Sequence, residues 1–115
     1  MAGYPEPPEG LRTGGEALWR AVLGSYELGE HEVALLLQAA RTIDLLDRLE
    51  LLIERDGPVL PYGDTVRAHP ACTEARAHRI VLARLIASLG IPATEDEDRV
   101  APLRGARGTY KMRAT

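Results

Sequence analysis

Residues 30–55 read EHEVALLLQAARTIDLLDRLELLIER, a stretch without Gly or Pro that decides the fold. It runs into Asp56-Gly57-Pro58, which ends a helix and prevents its continuation. At 1.5 Å per residue, the stretch predicts one helix about 40 Å long. Its apolar residues recur at helical spacing and form a wide face, which we expect to be the intramolecular core: Leu35, Leu36, Ala39, Ile43, Leu46, Leu49 and Ile53.

The same helix is apolar over more of its circumference than one partner helix covers. A chain of 115 residues offers little else to bury the excess, so contact between subunits is favoured. The alternative is that the other helices wrap the long helix from both sides. The predicted oligomer interface consists of Val33, Leu37 and Leu51 on one flank of the core face, and Leu45 and Leu52 on the other.

Shorter elements are predicted before and after the long helix. A first helix begins near Thr13, with Thr13 as its cap, and ends at Gly24-Ser25. An irregular hairpin around Gly63-Asp64 leads to a third helix, which Pro70 opens and Gly90 closes. The core positions expected in this third helix are Ala71, Ala75, Val81 or Leu82, Leu85, Ile86 and Leu89.

The predicted fold class is all-α. A long antiparallel helical hairpin carries a short N-terminal helix, and a small irregular hairpin or loop connects the two long helices. The length fits one domain. We expect a flexible N-terminal arm over residues 1–12, a helical oligomerisation core over residues 13–92, and a flexible tail over residues 93–115 that is first acidic and then basic.

Charge is distributed unevenly, although the formal net charge is only −3. All 17 acidic residues precede Arg99, whereas five of the 14 basic residues lie from Arg99 onward. Arginines among flexible glycines with one tyrosine suit phosphate contact without base readout, although a solvated terminus that keeps the protein soluble fits equally well. The predicted nucleic-acid-binding residues are Arg12, Arg20, Arg99, Arg104, Arg107, Lys111 and Arg113.

No pattern in the sequence indicates catalysis, a bound metal or a cofactor. His31-Glu32 begins like a zinc-protease helix, but the position of the second histidine is Leu35. The spacing of His69, Cys72 and His78 matches no standard zinc site, and we expect His69 to be a turn residue and Cys72 a small buried one.

Other charged and polar residues also have ordinary expected roles. Asp44 and Asp47 lie one helical turn from Arg41 and Arg48, which favours ion pairs on a solvated face. A single cysteine forms no internal disulfide, and no apolar run is long enough to cross a bilayer. We therefore expect a cytoplasmic protein without a membrane partner.

The order of these features resembles the terminase small subunit family of tailed phages, in particular the members from phages and prophages of GC-rich actinobacteria. The resemblance covers about residues 11 to 92. It is carried by Gly15-Glu-Ala-Leu18-Trp19-Arg20, Tyr26-Glu27-Leu28-Gly-Glu30-His31-Glu32, Ala40-Arg41-Thr42-Ile43-Asp44, Asp47-Arg48-Leu49, Asp56-Gly57, His69-Pro70, Glu74-Ala75-Arg76, Leu85-Ile86 and Leu89-Gly90.

The resemblance implies a non-catalytic subunit that forms a homo-oligomeric ring in the host cytoplasm. Such a subunit recognises double-stranded viral DNA and delivers it to the large terminase subunit, which carries the ATPase and nuclease. The alternative function is a dimeric helical adaptor or regulator that binds protein partners and not DNA.

Overall fold

Three helices and one β-hairpin make up the computed structural model, which describes residues 3–91. The chain forms α1 (Thr13–Ser25), α2 (Glu30–Asp56), β1 (Val59–Tyr62), β2 (Thr65–Ala68) and α3 (Pro70–Leu89). The predicted mostly helical fold is therefore confirmed, and the hairpin predicted between the long helices is a regular two-stranded antiparallel sheet. None of the described helices is both long and apolar enough to cross a membrane.

Helices α2 and α3 run antiparallel along each other. Asp56 at the end of α2 meets His69 at the start of α3, and Leu36 and Leu89 share the core at the other end. Glycines with positive φ end both helices, Gly57 at 82° and Gly90 at 69°, as the sequence predicted. At the start of α2, the Glu32 carboxylate accepts a hydrogen bond from the Gly29 N–H at 2.8 Å.

Helix α1 begins differently from the prediction. Arg12, not Thr13, is its N-cap residue, and the Arg12 side chain makes no capping hydrogen bond. Asp44 of α2 supplies the cap instead, because its carboxylate accepts hydrogen bonds from the backbone N–H groups of Arg12 and Gly15, both at 2.7 Å. The expectation that Asp44 lies on a solvated face is thus wrong: the residue is 7% exposed and joins two helices.

The main hydrophobic core lies where α1 packs against the helical hairpin that α2 and α3 form. Its cluster of buried residues consists of Trp19, Val22, Leu23, Leu36 and Leu89. Of the residues predicted for the core face of α2, Leu36, Ala39 and Leu46 are buried, whereas Leu35, Ile43, Leu49 and Ile53 are half-buried. On α3, Leu82 is half-buried and Val81 is 44% exposed, which decides between those two candidates.

The described part of the N-terminal segment lies against α1. Residues 3–11 contain no helix or strand, but Tyr4 and Leu11 pack against the core cluster. The indole Nε1–H of Trp19 donates a hydrogen bond to the Pro5 carbonyl at 2.9 Å. The segment is thus a strap across α1 that covers Trp19.

The β-hairpin closes through a short turn at Gly63, where φ is 60°. Val59 pairs with Ala68 and Tyr62 with Thr65. The Arg67 guanidinium lies 3.8 Å from the centre of the Tyr62 ring, in a cation–π arrangement. Every residue of the two strands except Leu60 is exposed, so the β-hairpin projects from the helices into solvent.

Candidate functional site

The half of the helical hairpin that lies beyond α1 carries most of the exposed large apolar side chains of the described chain. We call residues 47–81 the distal arm; it contains the end of α2, the β-hairpin and the first half of α3. Among the described residues, no large hydrophobic side chain of the distal arm is buried. Its exposed large hydrophobic residues are Leu51, Leu52, Val59, Tyr62, Val66, Ile80 and Val81.

This exposure follows from the length of α1. Helix α1 covers α2 from the core cluster to the neighbourhood of Asp44, and Leu46 is the last buried residue of α2. Beyond that point, α2 and α3 have only each other, and two helices in contact leave most of their circumference open. The distal arm is therefore the part of the described chain with the largest unsatisfied apolar surface.

The five residues predicted for the oligomer interface fall into two groups. Val33 and Leu37 are half-buried and pack against the core cluster, so much of their surface is used within the subunit. Leu45, Leu51 and Leu52 are 39%, 65% and 36% exposed. The structure thus leaves three of the five open to a partner.

A cavity of about 160 Å³ lies where the start of α1 meets α2. Arg12 reaches it from the cap position of α1, and Arg41 and Arg48 reach it from positions two turns apart on α2. Gly10, Asp44 and Leu45 complete its lining. The sequence predicted that Arg41 and Arg48 pair with Asp44 and Asp47, but neither arginine forms a salt bridge with any residue between 3 and 91.

Of the other predicted nucleic-acid-binding residues, only Arg20 lies among the described residues, and it does not line this cavity. Arg20 lies on α1 and approaches Glu6 of the N-terminal strap at 3.5 Å. The remaining predicted residues, Arg99, Arg104, Arg107, Lys111 and Arg113, lie outside the described residues. Of that predicted set, the described structure therefore brings only Arg12 into a cluster of basic side chains.

A second polar cluster joins the end of α2 to the start of α3, at the base of the β-hairpin. His69 is 8% exposed, its Nδ1 accepts a hydrogen bond from the Ala71 N–H at 3.0 Å, and its Nε2 lies 2.8 Å from Asp56 Oδ2. Because Nδ1 is an acceptor, the ring proton lies on Nε2 and is donated to Asp56. Arg55 donates two further hydrogen bonds to Asp56, at 2.7 and 2.8 Å.

Arg55, Asp56 and His69 hold the end of α2 against the start of α3, and we call these three residues the clamp. Hydrogen bonds from Arg55 and His69 hold the pKa of the Asp56 carboxyl well below its ordinary value. Both ring nitrogens of His69 are used, one to cap α3 and one to hold the end of α2, so neither is free to act as a general base. Cys72 is half-buried, with its Sγ 3.8 Å from the Pro58 carbonyl oxygen.

The residues between 3 and 91 contain no group of three or more His, Cys, Asp or Glu side chains placed to hold a metal ion.

The arginine cavity was not predicted from the sequence, because the helical pattern of α2 does not show that α1 begins against its charged side. The available signal was Gly14-Gly15, since two adjacent glycines allow another helix to approach closely.

Comparison with known proteins finds no match among family models, curated proteins or solved structures.

Proposed function

We propose that this chain is the small subunit of a phage terminase, a non-catalytic protein that works by self-assembly and by contact with DNA. The sequence pattern over residues 11 to 92 supports this family, and the exposed apolar surface of the distal arm supports self-assembly. That apolar surface is the single observation that carries the proposal, because apolar side chains gain about 25 cal/mol for each Å² removed from water.

The positions of the exposed leucines favour a ring over a dimer. Leu51 lies about 120° around α2 from Leu45, whereas Leu52 lies within about 20° of Leu45. The subunit therefore carries two different apolar flanks, one with Leu51 and one with Leu45 and Leu52. Two different surfaces in head-to-tail contact generate a ring when the rotation closes, whereas a twofold dimer uses the same surface twice.

We propose that the assembled subunits bind double-stranded viral DNA and deliver it to the large terminase subunit. The basic residues from Arg99 onward supply phosphate contacts, and several tails on one assembly act together through their high effective concentration. A chain without residues 99–115 will then bind duplex DNA more weakly. The slope of log affinity against log salt will fall by up to about 4.5 if all five charges meet phosphates.

The assembly is tested by measuring the mass of the full chain by light scattering, against a subunit mass of 12.5 kDa. Leu51→Glu and Leu52→Glu each place a charge on one flank, and each should reduce the mass. Ala17→Glu on the exposed side of α1 adds the same charge away from the distal arm and should leave the mass unchanged.

Mixing the two variants distinguishes the ring from its rival. In head-to-tail contact, Leu51→Glu keeps one flank intact and Leu52→Glu keeps the other, so the mixture should form a one-to-one pair. If only one of the variants lowers the mass and the mixture forms no pair, the contact is twofold and the dimeric adaptor is favoured. A mass that neither variant changes would contradict assembly through the distal arm.

A further inference from the structure

The arginines at the cavity between α1 and α2 are distinguished from the other arginines of the described chain by lining one cavity together. Elsewhere, Arg20, Arg55 and Arg79 each lie against a carboxylate, on Glu6, Asp56 and Glu50. Arg12, Arg41 and Arg48 converge on one concavity without any carboxylate partner among residues 3–91 for their guanidinium groups. Like charges that converge on one concavity repel each other, and an anion bound between them would relieve that repulsion.

The one acidic residue at the cavity is already occupied. One carboxylate oxygen of Asp44 accepts the Arg12 N–H and the other accepts the Gly15 N–H. Its charge thus faces the N-terminus of α1, where helix dipole and backbone donors stabilise it. Among the side chains that line the cavity, three positive charges face one negative charge.

The volume and the lining of the cavity suit a small oxyanion. Its volume of about 160 Å³ holds several water molecules. Arg41 and Arg48 are separated by seven residues, about 10 Å along the helix, so their side chains reach the space between them from both ends. Each guanidinium presents a planar fork of donors that matches two oxygens of a phosphate.

We propose that Arg12, Arg41 and Arg48 form a binding site for a phosphate group. The site is built from side chains of one subunit, and its Leu45 also belongs to the apolar flank proposed for assembly. The phosphate belongs either to a small phosphorylated compound or to the backbone of a nucleic acid, because the three guanidinium groups recognise the same chemistry in both.

Inorganic pyrophosphate is the probe for the first source, with binding to the full chain measured by calorimetry at low salt. Arg41→Gln/Arg48→Gln should weaken the affinity at least about tenfold, since each charge-assisted hydrogen bond contributes strongly. Arg76→Gln/Arg84→Gln removes the same charge from exposed positions on α3 and should change the affinity less than about twofold. Arg12→Gln tests the third arginine by itself.

A duplex DNA of arbitrary sequence is the probe for the second source. If a backbone phosphate enters the cavity, replacing all three arginines by glutamine should lower the salt slope of binding by up to about 2.7. A control with Arg67→Gln, Arg76→Gln and Arg84→Gln removes three charges at exposed positions outside the cavity and measures the part of any change that comes from net charge alone.

Each outcome has a distinct meaning. Loss of pyrophosphate binding alone assigns the site to small phosphorylated compounds, and a change in DNA binding, with or without pyrophosphate, assigns it to a nucleic acid backbone. If the variants match their control with both probes, the site does not exist. Leu51→Glu and Leu52→Glu lie outside the lining, so pyrophosphate binding should persist in both even where assembly is lost.

Discussion

The Asp44 carboxylate of α2 accepts the backbone N–H of Gly15 at 2.7 Å and thereby holds the first turn of α1. The contact requires that residue 15 have no side chain. A Cβ on Gly15 would overlap the Asp44 carboxylate and would lie 2.7 Å from the Ala40 carbonyl oxygen. The start of α1 therefore touches the backbone of α2 directly.

Gly15→Ala will destabilise the protein, because the added methyl group forces α1 away from α2. We expect a loss of about 1–3 kcal/mol in the free energy of unfolding by denaturant. Gly24→Ala is the matched control, since its Cβ would meet only the Tyr4 ring, at 3.8 Å or more. Alanine should stabilise the helix there by about 0.5–1 kcal/mol, so destabilisation by both variants would contradict the steric explanation.

Asp44→Ala removes the cap and leaves two backbone N–H groups without their acceptor. The expected cost is about 1–3 kcal/mol in the free energy of unfolding. Glu54→Ala, at an exposed position of the same helix beyond α1, should stay within about 0.5 kcal/mol of the original chain. Equal values for the two variants would show that the Asp44 hydrogen bonds contribute nothing.

The clamp at Asp56 predicts a loss of stability in acid. The pKa of this carboxyl is lower in the folded chain than its ordinary value of 3.8. The stabilisation is therefore fully present above about pH 4 and is lost as the pH falls through the lower folded pKa. The difference in unfolding free energy between the original chain and Asp56→Asn should shrink as the pH is lowered from 5 to about 2.

Salt gives a second check on this clamp. Arg55 and its carboxylate partner are exposed, so added salt should screen their attraction and reduce the same difference at neutral pH. Glu54→Gln removes a neighbouring exposed carboxylate and serves as the control. If the difference between the original chain and Asp56→Asn does not depend on pH, the clamp does not stabilise the fold.

His69 tests the cap of α3 separately from the contact with Asp56. His69→Asn supplies another side chain that caps helices well, whereas His69→Ala supplies none. We expect His69→Ala to be less stable than His69→Asn by about 1 kcal/mol in denaturant unfolding. The result fails this expectation if the two variants unfold at the same denaturant concentration.

Local signals in the sequence predicted the helix boundaries well. Gly57-Pro58 ends α2, Pro70 opens α3 and Gly90 closes it, each through the backbone geometry of that residue alone. The face of α2 was less well predicted, because periodicity gives a residue's angle on its own helix and not what lies over it. Asp44 sits toward the charged side of α2 and is buried because α1 begins there.

The same limit applies to the apolar flanks of α2. Val33 and Leu37 share a flank with Leu51 by angle, but the core cluster lies against the first two, whereas Leu51 lies beyond α1. Which part of a flank is covered depends on the length and position of α1, a tertiary property that the pattern of α2 does not contain. The arginine cavity likewise forms only because the start of α1 lies against α2.

The cap that Asp44 supplies also sets an order of folding. A helix of 13 residues is too short to persist by itself in water, and the acceptor for its first turn lies 29 residues further along the chain. During synthesis, residues 13–25 are joined to the chain before that acceptor is added. We therefore expect the first turn of α1 to become ordered only when α1 docks on α2, so that this turn and the contact between the two helices form together.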